Sequence, residues 1–86
     1  MPSAPTIGDL FKAKEVSTED IEAVARGWFE DRVEGRIPIG KHAVDIAAAV
    51  EAHEPTRDAL DDDSATEGRK LMMVRTAIIL APALTA

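Results

Sequence analysis

The chain has 86 residues, no cysteine, 45% hydrophobic and 30% charged side chains, and a net charge of −6. That length makes one small domain with a thin core, and the lack of cysteine excludes a disulfide framework and thiolate metal sites. The acidic excess argues against direct nucleic-acid binding, where affinity comes from neutralising phosphates with Lys and Arg.

Residues 1–6, with Pro2 and Pro5, read as an extended arm. They lack the basic and apolar regions of a secretory signal, so the cytoplasm, or a particle assembled there, is the expected location. Thr6 can cap a short helix through Ile7, Leu10 and Phe11 that ends near Lys14. A longer helix follows from the Ser17-Thr18-Glu19-Asp20 start, with acids in its first turn. Ile21, Val24, Ala25 and Trp28 share one face of it, with Trp28 as a core anchor, and Phe29 and Val33 form a second ridge. Gly35 is the expected stop, in left-handed backbone.

Residues 36–40 read as a connector, because Pro38 holds Ile37 extended. A third helix is expected over 41–53, with Ala43, Ile46, Ala47 and Val50 on its apolar side. Pro55 to Leu60 add one further helical turn. Asp63 or Ser64 is the expected cap of a last helix that runs to about Ala81 and is closed by Pro82. The fold class predicted is therefore all-α: a small compact bundle of three main helices plus one or two short ones. Its helical domain spans 7–81, with a tail over 82–86. Alanine, leucine and charged helix formers outweigh β-branched and aromatic residues, which supports that reading.

Candidate chemistry is sparse. His42 and His53, eleven residues apart on the expected helix, are separated by about 16 Å of rise, too far to share a metal. The pair His42 and Asp45 has ligand spacing but lacks a third group. A calcium loop starting at Asp61 fails, since Ala65 and Thr66 occupy its fifth and sixth positions. Gly40-Lys41 lacks the remainder of a phosphate-binding loop, and no serine sits in a nucleophile elbow. No catalytic, cofactor-binding or metal-binding residue is assigned, no cofactor is expected, and the chain is not expected to be an enzyme.

The last helix carries the strongest signal. Leu71, Met73, Val74, Ala77, Ile78, Leu80 and Ala81 make an apolar arc fit for the domain's own core. Met72 and Ile79 form a second stripe beside Arg75 and Thr76, in the sector that should be polar. A methionine-bearing stripe of that kind suits an adaptable contact surface. The stretch is too short and interrupted to span a bilayer, which needs about 20 apolar residues. Phe29, Val33, Met72, Arg75, Ile79 and Leu84 are the candidate partner-binding residues, for a protein partner or for self-association. The expected function is a non-catalytic structural or interaction subunit of a larger assembly, such as a virus-particle component, a connector or an accessory subunit of a complex. The alternative rests on residues 54–67, where six acids stand against Arg57 alone. There Asp58, Asp61, Asp62 and Asp63 would let a small acidic regulator or inhibitor occupy a basic site on a partner, as a nucleic-acid mimic does.

Overall fold

The computed structural model describes residues 5–32 and 34–85. Two reciprocal caps start the chain's first helices where local chemistry demands them. For α1 (Ile7–Lys12), Thr6 Oγ1 accepts from the Asp9 amide at 3.1 Å and Asp9 Oδ2 accepts from the Thr6 amide at 3.0 Å. Ser17 and Asp20 repeat the arrangement for α2 (Thr18–Asp31). Each box satisfies two amides that the helix itself leaves without partners.

α2 stops earlier than the Gly35 end expected for it. Arg32 turns left-handed at φ 53°, and its amide donates to the Trp28 carbonyl at 2.7 Å. A non-glycine residue there costs roughly 1–2 kcal/mol. Stacking offsets much of that cost: the Arg32 guanidinium lies 4.7 Å from the Trp28 ring centre and 5.6 Å from that of Phe29. Val33 lies outside the described residues, as does the arm before Pro5.

The all-α expectation is overturned in the next segment, and the fold is α+β. Residues expected as a connector and the first turn of a helix form an antiparallel hairpin, β1 (Arg36–Ile39) and β2 (His42–Asp45). Gly40 is the first of two turn residues and has φ +59°, while Lys41 has no positive φ. That pattern belongs to the type II′ turn, whose twist matches paired strands. Pro38 lacks an amide proton and is tolerated because β1 is an edge strand. Asp45 then caps α3 (Ile46–Ala52), its Oδ1 accepting from the Ala48 amide at 3.0 Å. The helix expected over 41–53 is thus halved, and His42 and His53 do not share it.

Pro55 sits in the first turn of α4 (Glu54–Asp61), where a missing amide proton leaves no gap. This is two turns rather than one. The final helix, α5 (Glu67–Leu80), begins later than expected because Thr66 caps it through the Arg69 amide. Asp62 and Ser64 are engaged with each other instead, Asp62 Oδ1 accepting from the Ser64 hydroxyl at 2.6 Å and the Ser64 amide at 2.9 Å. Beyond α5, β3 (Leu84–Thr85) pairs with β2, so the strand order is β1-β2-β3. The Ile7 amide donates to the Ala81 carbonyl and the Ala83 amide to the Pro5 carbonyl, tying the start of α1 to the end of α5.

α5 is the hub, in contact with α1, α2, α3 and α4. Val74, Ala77 and Ile78 on its inner side meet Ile7, Ile21 and Ile46 in one core cluster that also holds Trp28 as expected. Among the described residues one buried polar side chain joins them: Thr56 of α4, whose hydroxyl donates to the Met73 carbonyl at 2.8 Å. Its oxygen also lies 2.6 Å from His53 Nδ1. Thr56→Val keeps the shape but strands the imidazole donor, and is expected to lower stability by about 1–3 kcal/mol in urea unfolding.

Two exposed carboxylates set an acid dependence. Hydrogen bonds from the Thr6 amide and hydroxyl hold Asp9 below the ordinary carboxylate value of 3.8, and the Ser64 hydroxyl and amide do the same for Asp62. A lowered folded-state pKa means stability fully present above 3.8 and lost as pH falls through the folded value. The melting temperature is therefore expected to drop as pH is lowered below 3.8, and to drop less for Asp9→Asn and Asp62→Asn chains.

Candidate functional site

The inward pull of Val74, Ala77 and Ile78 leaves the opposite side of α5 to solvent, and that side is apolar too. The exposed large apolar side chains among the described residues are Phe11 (43%), Met72 (52%), Ile79 (36%) and Leu80 (58%). Three of the four stand on α5, at i, i+7 and i+8. Leu80, expected in the core arc, is the most exposed of them. Helical periodicity places it beside Ala77, one turn away, but the core takes up Ala77, Ile78 and Ala81 and leaves Leu80 outside.

Three of the candidate residues come together in a furrow between α2 and α5. Met72 and Arg75 line a shallow cleft of about 230 Å3 with Glu22, Arg26 and Leu71. Phe29 lines an adjoining cleft of about 340 Å3 that shares Arg26 and Leu71. Arg75 Nη1 bonds Glu22 Oε1 at 3.3 Å, a partly exposed pair that contributes little stability but fixes the guanidinium across the furrow. Arg75 Nε is buried without a partner. Phe29 itself is half-buried, with Arg32 over its ring.

Ile79 is only partly available. A Cβ built on Gly8 would stand 2.8 Å from Ile79 Cγ2, so α1 packs backbone-to-side-chain on this residue. Leu84 lies elsewhere, on β3. The acidic candidates Asp58, Asp61, Asp62 and Asp63 are all exposed on α4 and the turn after it, and Asp62 is engaged locally by Ser64.

Leu84 and Leu80 belong to a half-open groove of about 510 Å3. Ala48, Ala49 and Ala52 on α3 form one wall, facing Ala77 on α5. Asp45 and His53, the caps at the two ends of α3, supply its polar side chains. The sequence signal for this groove was the alanine run 47–49 with Ala52.

Among the described residues no group of three or more His, Asp or Glu side chains is placed to hold a metal ion. Among them, too, no helix is long and apolar enough to cross a membrane. No family model, no curated protein and no solved structure matches the chain. The surfaces of α5 are therefore the basis for a functional reading.

Proposed function

We propose that this protein is a non-catalytic interaction subunit that docks into a larger protein assembly through the outer side of α5. One observation carries the reading: Met72, Ile79 and Leu80 are exposed on the same helix that supplies the centre of the core. Large apolar side chains clustered on the surface of so small a domain mark a contact with another chain. Met72 and Arg75 also have the flexible and planar chemistries that recur at such contacts.

A photo-crosslinking amino acid placed at Met72, Leu80, Asp61 or Glu19 tests this in cells producing the chain. Positions 72 and 80 are expected to crosslink to the same protein, with no crosslink from 19. Crosslinks from 61 alone would assign the contact to the acidic segment and make the chain an acidic regulator. An absence of crosslinks from 72 and 80 would remove the proposal.

A further inference from the structure

We infer that the groove between α3 and α5 receives a basic amphipathic helix from a protein partner, seated between Asp45 and His53. The inference rests on the interaction reading and adds the chemistry of one occupant.

It starts from a fixed imidazole. Thr56 Oγ1 donates its proton to the Met73 carbonyl, which can only accept. The 2.6 Å contact between Thr56 Oγ1 and His53 Nδ1 must then run from Nδ1–H to the hydroxyl oxygen. Neutral His53 is left with Nε2, a lone-pair acceptor. At the other end of α3, Asp45 uses Oδ1 for the Ala48 amide and keeps Oδ2 as an acceptor. Among the described lining residues the two polar side chains, Asp45 and His53 in its neutral form, therefore both accept hydrogen bonds. Among the described residues no lysine or arginine lines it.

Geometry and charge select the occupant. Asp45 and His53 cap opposite ends of α3, eight residues apart, which is about 12 Å at 1.5 Å rise per residue. Donors seven or eight residues apart on a helix lying along α3 span about the same length. Alanines at 48, 49 and 52 let a helix backbone come close, and Leu80 and Leu84 offer apolar surface to its side chains. Glu51 and Glu54 flank His53, and residues 54–67 carry six acids against one arginine. That field favours lysine and arginine on the incoming segment.

The test uses the full chain and two synthetic helical peptides with the same leucine-bearing face. One carries lysines seven residues apart at its edge, and the other carries glutamates there. Binding is read by fluorescence anisotropy and by amide shifts in NMR spectra. The lysine peptide is expected to bind with shifts centred on Ala48, Ala52, His53 and Leu80, and the glutamate peptide to bind at least tenfold more weakly. Ala52→Lys, at an exposed wall position, is expected to weaken the lysine peptide at least tenfold while circular dichroism stays unchanged. Equal binding of the two peptides, no binding of the lysine peptide, or normal binding by the Ala52→Lys chain would overturn the inference. So would a dimer that Ala52→Lys dissociates, since a second copy would then be the occupant. Dodecylamine shifting the same amides while the lysine peptide shifts none would make the groove a small-molecule site and equally overturn it. If the groove fails but crosslinks from Met72 persist, the interaction reading stands without this partner.

Discussion

Ile78→Ala is expected to lower stability by about 2–5 kcal/mol, while Leu80→Ala, two residues on, changes it by no more than about 0.5 kcal/mol. Ile78 is fully buried at the point where α5 meets the core cluster, so its loss leaves a cavity that the surrounding helices cannot fill. Leu80 is 58% exposed and leaves none. A chain of this length has roughly 4–13 kcal/mol of total stability, so Ile78→Ala brings it near the threshold of folding. Urea unfolding with an unchanged m-value separates the two variants. A Leu80→Ala loss as large as that of Ile78→Ala would mean that Leu80 is a core residue and would remove the main support for an outward-facing contact surface.

Gly8→Ala is expected to destabilise by about 1–3 kcal/mol, despite the better helix propensity of alanine. The added Cβ would lie 2.8 Å from Ile79 Cγ2 and 3.0 Å from the Ile79 carbonyl oxygen. The side chain can rotate, but the carbonyl belongs to the last turns of α5 and moves only with the helix. Ile79→Ala in the Gly8→Ala background should therefore recover part of the loss and not all of it. Full recovery would show that the backbone approach of α1 to α5 is looser than the structure has it. Gly27, with nothing within 4 Å of its built Cβ, is the contrasting site: Gly27→Ala in the middle of α2 should stabilise by about 0.5–1 kcal/mol.

The helix starts at Thr6 and Ser17 were legible because capping is a contract among residues three apart. The end of α5 was legible because Pro82 has no amide proton and cannot continue a helix. The end of α2 was not, since it depends on Arg32 folding back over Trp28 and Phe29 rather than on Gly35. The hairpin was hidden most thoroughly. Ala43, Val44 and Ile46 are all buried, and a short buried run has no period that separates strand from helix. Gly40-Lys41 between Ile39 and Ala43 was the available cue, a two-residue turn with glycine first.

The candidate contact residues divide along the same line. Phe29, Met72 and Arg75 meet in one furrow because α2 and α5 pack side by side, while Leu84 goes to the α3 groove because β3 pairs with β2. Sequence alone determined that residues 71–81 hold more apolar surface than one core face can bury, because composition and helical period are local facts. Tertiary structure alone decided which side chains were left over. Packing of α1 claims part of Ile79, and the core takes Ile78 and Ala81 but passes over Leu80. Pairing of β3 with β2 brings Leu84 to the groove that Asp45 and His53 also line.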